Sequence, residues 1–354
     1  MSPVTRPASP RASAQLLQHI VSGWRTQALH AAVTLGVPDA LAGGAQSPGS
    51  LAETLQCHAD ALQRLLRALC TLGVCRERAD ARFGLTAAGR SLCTNPPEGT
   101  PSLRDLVRWW GGPLWPMWAE LAYSVRTGRS AREKLTGNTS YSFMNGSEEV
   151  AAIFHGGQQA VSSLVQGDLV AWPGWRRTKH LVDVGGGHGQ VGLALAAAHP
   201  RLKVTLFDLQ HAQAGAETRL QALALSDRCR FEAGSFFERL PAGADVYLLK
   251  SILHNWDDAR CRSILQHCAA AAPPSARLLI VERVRPERLG RSARDESVVR
   301  TDLNMLAGLG GRERSEAEYA ALLAEVGFGI RSCRPLSFEF SVIEADRQSL
   351  RRRC

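Results

Sequence analysis

The spacing of apolar residues changes near the middle of the chain, from a helical period to short continuous runs. In the first hundred residues, four leucines recur at three- and four-residue spacing. They are Leu62, Leu65, Leu66 and Leu69. Their spacing predicts an amphipathic helix that ends near Gly73. Ser50–Glu53 and Asp60–Gln63 resemble the capping boxes of helix starts, and residues 74–92 hold two short strand candidates. Helices followed by a β-hairpin outline a winged helix.

Residues 104–179 have a helical pattern rich in tryptophan, and from His180 short apolar runs alternate with helical segments. The predicted strands are "HLVDVG", "KVTLFDL", "RCRFEAG", "ADVYLLKS" and "ARLLIVERV". Such strands form a parallel sheet covered on both faces, with ligands at the strands' carboxyl ends. A final helix is expected from a capping box at Ser315–Glu318 to Gly327. We therefore predict an α/β, Rossmann-like domain over 180–354, preceded by the helical segment and by a winged-helix domain over 1–103.

Length and composition fit a two-domain protein with a sizeable core. The chain has 354 residues, of which 45% are hydrophobic, and a net charge of +9. The charge invites a DNA-binding hypothesis, but the predicted recognition face offers only Gln63, Arg64 and Arg67. No apolar run is long enough for a membrane span. Scattered cysteines without a CxxC pair favour reduced thiols, a cytoplasmic location and no structural zinc.

The stretch "DVGGGHGQVG" follows the first predicted strand and opens a helix. Read from Gly187 it matches the dinucleotide fingerprint G-x-G-x-x-G. Read from Gly185 it is G-x-G-x-G, with Asp183 two residues before it. The acid would repel a pyrophosphate but would attract the ammonium and sulfonium of S-adenosylmethionine, which favours that cofactor. Asp208 ends the second strand and is placed to bind ribose hydroxyls, which both cofactors carry.

The stretch "YLLKSILHNWDD" places ionisable groups at the mouth of a buried strand, where burial alone does not require them. With this segment the chain resembles the small-molecule O-methyltransferases of the plant caffeate/flavonoid and bacterial polyketide-tailoring type. The likeness covers nearly the whole chain. The residues that carry it are "LVDVGGGHG", "LKSILHNWDD" and "TDLNMLAGLGGRERSEAEY". It implies a class I methyltransferase sheet, the cofactor S-adenosylmethionine with S-adenosylhomocysteine as its product, and a homodimer formed through the N-terminal domain.

The resemblance also implies catalytic roles. His254 would be the general base that takes a proton from an aromatic hydroxyl. Glu282 and Glu313 would orient the imidazole and support its positive charge. We expect no metal, because Asp257 and Asp258 fit the start of the next helix better than a magnesium site.

Further site residues follow from the same resemblance. Lys250 would lie near the cofactor, and Phe236 would pack on its adenine. Ser235 stands where the family usually has an acid that binds the adenine amino group. On the acceptor side four residues are implied: Met305, Asn304, Gln158 and Phe154. Gln158 replaces a family methionine, which indicates a more polar acceptor or one held differently.

The resulting hypothesis is an O-methyltransferase for a phenolic hydroxyl of a small aromatic secondary metabolite, with neither a nucleic acid nor a membrane as partner. Alternatives with the same cofactor are an N-methyltransferase and a family member that has become a hydroxylase or decarboxylase. A nicotinamide oxidoreductase would share "GHGQVG", and a winged-helix regulator would share the N-terminal outline. The sequence leaves the acceptor unidentified.

Overall fold

Residues 9–137 and 147–348 are described by a computed structural model of the chain, and they divide into two units. The first unit contains the residues up to Trp115 together with Glu149–Ala160. The second unit contains the remaining described residues. The long helix Glu148–Val170 therefore contributes its first half to one unit and its end to the other. The division into three segments that the sequence predicts stays a prediction.

Helices make up most of the first unit, and a small hairpin completes it. Its elements are α1 (Pro10–Val21), α2 (Gly23–Thr34), α3 (Val37–Leu41), α4 (Pro48–Leu55), α5 (Ala59–Thr71), β1 (Cys75–Glu77), β2 (Phe83–Leu85), α6 (Ala87–Arg90) and α7 (Arg104–Gly111). The α5 helix buries Leu62, Leu66 and Leu69, as its leucine spacing predicts, and ends before Gly73 at φ +73°. Strands β1 and β2 pair antiparallel, so the predicted order of helices followed by a hairpin is confirmed.

The predicted starts of two helices are wrong by two to three residues. The cap of α4 is Ser47, whose side chain accepts a hydrogen bond from the Ser50 N–H at 3.2 Å, so Ser50 lies inside the first turn. Pro48 fixes this earlier start, because a proline fits the first helical position. The α5 helix begins directly after His58. The capping box predicted at Ser315–Glu318 is confirmed.

The second unit is built on a seven-stranded sheet. The remaining elements of the chain are α8 (Trp115–Ala119), α9 (Leu121–Thr127), α10 (Ala131–Thr136), α11 (Glu148–Val170), β3 (His180–Val184), α12 (Gln190–Ala198), β4 (Lys203–Asp208), α13 (Gln213–Ala222), β5 (Cys229–Ala233), β6 (Val246–Lys250), α14 (Asp258–Ala271), β7 (Arg277–Glu282), α15 (Ala293–Gly308), α16 (Glu316–Glu325), β8 (Phe328–Pro335) and β9 (Ser341–Arg347). The strand order is β5-β4-β3-β6-β7-β9-β8. The five strands from β5 to β7 in this order are parallel to one another. Strand β9 runs antiparallel to both of its neighbours, β7 and β8. All five predicted strands are confirmed, whereas α15, β8 and β9 were not predicted.

Two hydrophobic cores cover the two faces of this sheet. Along β6, Tyr247 and Leu249 pack on the face covered by α14 and α16, which we call the α14 face. Val246 and Leu248 pack on the face covered by α12 and the end of α11, the α12 face. Because successive side chains of a strand point to opposite faces, the position of a residue at the carboxyl end of a strand decides which of the two faces its side chain lies on.

Candidate active site

The glycine loop between β3 and α12 bends sharply at three glycines with positive φ. Gly185, Gly187 and Gly189 have φ of +68°, +54° and +77°. At Gly185 a β-carbon would lie 2.4 Å from the Ile252 side chain, so the loop packs closely on the segment after β6. At Gly187 a β-carbon would meet nothing within 4 Å. The backbone at Gly187 is therefore open to a ligand, as the sequence predicts for a cofactor loop.

Asp183 lies beneath this loop, in the α12 face of the sheet. Its carboxylate is buried and accepts a hydrogen bond from the Gly192 N–H at 3.0 Å. Burial raises the pKa of Asp183 to about 7, although the Lys250 ammonium opposes that shift. A buried carboxylate of this kind favours a nearby cation, which fits the ammonium or sulfonium that the sequence analysis assigned to it.

Asp208 ends β4 and braces the same loop. Its two carboxylate oxygens accept hydrogen bonds from the N–H groups of Gly187 and Leu209, both at 2.7 Å. Burial raises the pKa of Asp208. The residue thus lies beside the glycine loop at the carboxyl edge, and its contact with ribose stays a prediction.

The segment after β5 carries the residues predicted to hold adenine. The Phe236 ring packs edge-to-face on Phe237 and Trp256, with centroid distances of 4.9 Å and 6.2 Å. The Ser235 hydroxyl accepts a hydrogen bond from the Phe237 N–H at 3.2 Å. Since a hydroxyl oxygen has two lone pairs, Ser235 keeps one for an adenine amino group.

Lys250 ends β6 on the α12 face. Its Nζ donates a hydrogen bond to Ser162 Oγ at 2.8 Å and lies 5.6 Å from the centroid of the Phe340 ring. Burial and the nearby Arg283 guanidinium lower the pKa of Lys250 to about 8. The structure therefore places a buried lysine with a lowered pKa on the α12 face, beside Ser162 and Phe340.

The turn after β6 brings the three predicted catalytic residues together. His254 lies in the 3-10 turn Leu253–Asn255 and is 7% exposed. Its Nδ1 is 3.0 Å from Glu313 Oε1 and 3.5 Å from Glu282 Oε2, and both carboxylates are buried. A nitrogen facing two carboxylates acts as the donor, which leaves Nε2 as the atom able to accept a proton from a substrate.

Backbone contacts fix this arrangement. Glu282 Oε1 accepts hydrogen bonds from the N–H groups of Ile252 and His254 at 2.9 Å and 3.3 Å. Asp302, on α15, accepts a hydrogen bond from the Glu313 N–H at 2.8 Å. Each of the two acids is therefore tied to a second element, and neither depends on the imidazole alone for its position.

Arg314 is a positioning residue that the sequence analysis missed. Its side chain is fully buried and donates hydrogen bonds to the carbonyls of Leu253 and Trp256 at 3.0 Å and 2.7 Å. It also pairs with Asp258 at 2.7 Å. The guanidinium thus fixes both ends of the turn that carries His254. Arg314 lies in the segment "GGRERS", which the family resemblance singles out, but nothing in that segment distinguishes it from Arg312.

The electrostatic balance at His254 favours the charged imidazolium. Burial tends to lower the pKa of His254, but the carboxylates of Glu282 and Glu313 outweigh that effect and raise it. Burial raises the pKa of Glu282 in turn. His254 is therefore a stronger base than a free histidine, and it becomes protonated at a higher pH.

The same three side chains are of types that also bind metal ions, and their ligand atoms lie within 4.8 Å of one another. However, Nδ1 and Glu313 Oε1 are at hydrogen-bond distance, which a cation placed between them would have to open. Asp257 caps α14, as predicted, with its side chain accepting a hydrogen bond from the Arg260 N–H. The geometry favours a hydrogen-bonded base over a ligand cage.

Two residues predicted on the acceptor side lie on α15. Met305 is buried, and Asn304 is partly buried. The Asn304 Oδ1 atom is buried and has no hydrogen-bond partner among the described residues, so it is able to accept one from a ligand. Phe154 and Gln158 lie in the first unit, where the Phe154 ring packs edge-to-face on Trp109, and their roles stay predictions.

Two family models match the chain. An O-methyltransferase domain matches residues 118–329, and an O-methyltransferase dimerisation domain matches residues 17–95. Among curated proteins, the O-demethylpuromycin-O-methyltransferase of Streptomyces alboniger is 35% identical over 90% of this chain and 85% of its own.

Solved structures agree with these matches. The structure of LaPhzM superposes with a TM-score of 0.87 at 33% identity, covering 95% of this chain and 99% of its own. The methyltransferase NcsB1 of neocarzinostatin biosynthesis gives a TM-score of 0.75 at 33% identity, covering 91% of this chain and 95% of its own. NcsB1 was solved with S-adenosylmethionine and 2-hydroxy-5-methyl naphthoic acid bound.

Proposed function

Because the chain belongs to the S-adenosylmethionine-dependent O-methyltransferase family, we propose that it methylates a hydroxyl group of an aromatic secondary metabolite, with His254 as the general base. One observation carries this proposal. His254 follows β6, the strand that pairs with the strand of the glycine loop, and its Nδ1 lies 3.0 Å from Glu313, which leaves Nε2 to receive a proton from a substrate.

The protein's task in this reaction is to make an oxygen nucleophilic and to aim it. S-adenosylmethionine, when bound, supplies a methyl group already activated by a sulfonium. His254 Nε2 takes the hydroxyl proton as the oxygen–carbon bond forms and the sulfur–carbon bond breaks. Glu282 and Glu313, both buried, would stabilise the imidazolium that results. The proton is then released from the imidazolium to solvent.

We assign the cofactor to the edge formed by the ends of β3, β4, β5 and β6. Asp183 would face its cations, the backbone of the loop from Gly185 to Gly187, which is open at Gly187, would approach its amino-acid part, and Asp208 would bind its ribose. Ser235 and Phe236 would hold its adenine, and Lys250 its carboxylate. The buried carboxyl group of Asp183, which a nearby cation would stabilise in its charged form, and the open backbone at Gly187 are the features that fit this group.

We assign the acceptor to the side of α15. The unpartnered Asn304 Oδ1 would accept a hydrogen bond from it, and the Met305 thioether would pack on its ring. The acceptor-binding roles of Phe154 and Gln158, which lie in the first unit, stay predictions. The naphthoic acid bound by NcsB1 supports an acceptor with fused aromatic rings.

The direct test supplies isotopically labelled S-adenosylmethionine with a panel of phenols, naphthoates, phenazines and quinones, and locates the transferred methyl by mass spectrometry. We expect methylation at oxygen. His254→Ala should lower turnover roughly 100-fold to 10,000-fold while leaving cofactor affinity nearly intact. His267→Ala, near the far end of α14, is the matched control and should behave as wild type. Methylation at nitrogen, or an active His254→Ala variant, would contradict the proposal.

We also propose that the chain forms a homodimer through its N-terminal domain. The described α1 helix buries no residue within the chain, and three of its apolar residues are more than half exposed. They are Leu16, Leu17 and Ile20, at 60%, 55% and 71%. An apolar stripe of this size favours a protein partner, and the match to a dimerisation domain supports a second copy.

The expected cytoplasmic location stays a proposal. The cysteines in the described part of the chain are all unpaired, which supports a reducing compartment. Within residues 9–137 and 147–348, no helix has the length and hydropathy that crossing a membrane requires.

A further inference from the structure

Two cationic side chains lie side by side at the carboxyl edge of the sheet, on its α12 face. Lys250 ends β6, and Val281 is its partner on β7. Arg283 follows Val281 by two residues, so its side chain points to the same face as that of Val281. Both cations lie near one aromatic ring, with the Arg283 guanidinium carbon 4.1 Å and the Lys250 Nζ 5.6 Å from the Phe340 centroid.

Neither cation has a carboxylate partner in the described chain. Lys250 donates its hydrogen bond to a neutral hydroxyl, that of Ser162. Arg283 makes no hydrogen bond or ion pair with any described residue, and its Nε is buried without an acceptor. A buried guanidinium nitrogen left in this way is costly unless a ligand supplies the acceptor.

Three acids whose charges act on Arg283 hydrogen-bond to other groups and form no ion pair with it. Glu282 and Glu313 hold the His254 ring and its backbone, and Glu339 accepts a hydrogen bond from Ser297 Oγ at 3.2 Å. Arg300, on α15, adds a further positive charge to the neighbourhood of Arg283. The charges of these acids thus act on Arg283 at a distance, and the hydrogen-bond acceptor that its guanidinium lacks among the described residues is expected from a ligand.

We propose that Arg283 binds a carboxylate carried by the acceptor, so that the substrates are aromatic hydroxy acids. The inference rests on the proposed O-methyltransferase function and names its substrate class. The planar guanidinium presents paired N–H groups that match a carboxylate, and the Phe340 ring supports its face.

The position of Arg283 favours the acceptor over the cofactor, whose amino-acid end also carries a carboxylate. In the sheet order β3-β6-β7, Arg283 lies two strands away from the glycine loop, a distance of about 10 Å. Lys250 lies one strand away and is nearer to that end of the cofactor. Glu313, which orients the catalytic base, is instead among the charges that act most strongly on Arg283.

The test compares matched ligands on the protein loaded with S-adenosylhomocysteine. A hydroxynaphthoic acid, its primary carboxamide and the parent naphthol are titrated by calorimetry, and their methylation is followed separately. We expect wild type to bind the acid about 10-fold to 100-fold more tightly than the carboxamide, the range for hydrogen bonds to charged groups. Arg283→Met should remove this preference by weakening the acid alone, and Arg283→Lys should keep part of it.

Arg288→Met is the matched control, because Arg288 is exposed in the loop after β7 and its loss removes the same charge. It should keep the full preference. The proposal is overturned if wild type binds acid and carboxamide equally, or if Arg283→Met weakens S-adenosylhomocysteine instead. In either case continued methylation of the carboxamide or naphthol would leave the proposed function standing. If wild type prefers the acid but methylates none of the compounds, the carboxylate site stands and the proposed function is contradicted.

Discussion

At the scale of single residues, the mechanism depends on one imidazole held between two carboxylates. Burial alone would make His254 a weaker base, and Glu282 and Glu313 reverse that effect. Hydrogen bonds from backbone and imidazole offset part of the cost of burying these acids. As the proposed general base, His254 would be active only when neutral, so its raised pKa should place the acid limb of the activity profile above that of a free histidine.

Glu313→Gln should move that acid limb to lower pH. The amide removes one of the charges that raise the pKa of His254, so the imidazole stays neutral to a lower pH. The weaker base and less firmly held ring should lower the maximal rate about 10-fold to 100-fold. The measurement is kcat/KM against pH, with the exposed Glu287→Gln as control. An unchanged acid limb would mean that Glu313 does not act through His254.

Arg314→Ala should lower both stability and activity. Removing the guanidinium removes its hydrogen bonds to the buried carbonyls of Leu253 and Trp256 and its ion pair with Asp258, which should cost about 3 kcal/mol in the free energy of unfolding. Arg312→Ala is the adjacent control, because that side chain is exposed and its ion pairs contribute within about 1 kcal/mol. Denaturant unfolding measures both variants. Equal stabilities would show that Arg314 does not hold the turn.

The sequence could predict the candidate catalytic residues better than the residues that hold them in position or neighbour them. His254, Glu282 and Glu313 carry a combination of types that the family resemblance assigns, and the structure brings them together. Arg314 and Arg283 could not be predicted, because their roles depend on which carbonyls and rings they meet after folding. In a chain rich in arginine, residue type alone does not separate a buried guanidinium from a solvated one.

At the scale of elements, the glycine loop offers a test of which glycine faces the cofactor. Alanine at a residue with positive φ costs about 1 to 2 kcal/mol wherever it occurs. At Gly187 the added methyl points into open space, so we expect a folded protein with weakened binding of S-adenosylhomocysteine. At Gly189 the β-carbon would lie 2.6 Å from the Leu206 side chain, so instability should dominate.

Gly243→Ala is the control for backbone strain in this series, because Gly243 has φ +83° and nothing within 4 Å. Calorimetric titration and thermal melting together separate the effects. Unaltered cofactor affinity in Gly187→Ala would place the ligand elsewhere along the loop.

Strands β8 and β9 escaped prediction because neither has the continuous apolar run of the parallel strands. The parallel strands are continuous apolar runs because both of their faces are covered. The antiparallel β9 instead buries an acid, Glu344, which is only 5% exposed and pairs with Arg277 at 3.2 Å on the neighbouring β7. The neighbouring β8 is an edge strand interrupted by a bulge between Ile330 and Ser332, so its alternation is broken. Both strands are therefore stabilised by pairing with strands that a local sequence pattern does not reveal.

At the scale of the whole molecule, the first unit is where two hypotheses competed. The hypothesis of a DNA-binding regulator needed a basic face on α5, yet the match over residues 17–95 assigns this region to dimerisation. The exposed stripe of α1 has the apolar character that such a role requires. The hairpin outline alone could not decide between them, because a fold does not fix its partner.

Replacing Leu17 and Ile20 with glutamate should therefore convert a dimer into a monomer. Both side chains are more than half exposed in the chain, so the change should cost little folding stability but would bury charge in the interface. Light scattering should give wild type about twice the chain mass of 38.4 kDa, and the double variant the single mass. Leu289→Glu, an equally exposed apolar position outside α1, should remain dimeric. Because the glycine loop belongs to the second unit, a correctly folded monomer should still bind S-adenosylhomocysteine. A dimeric double variant would move the interface away from α1, whereas loss of both dimer and cofactor binding would indicate misfolding.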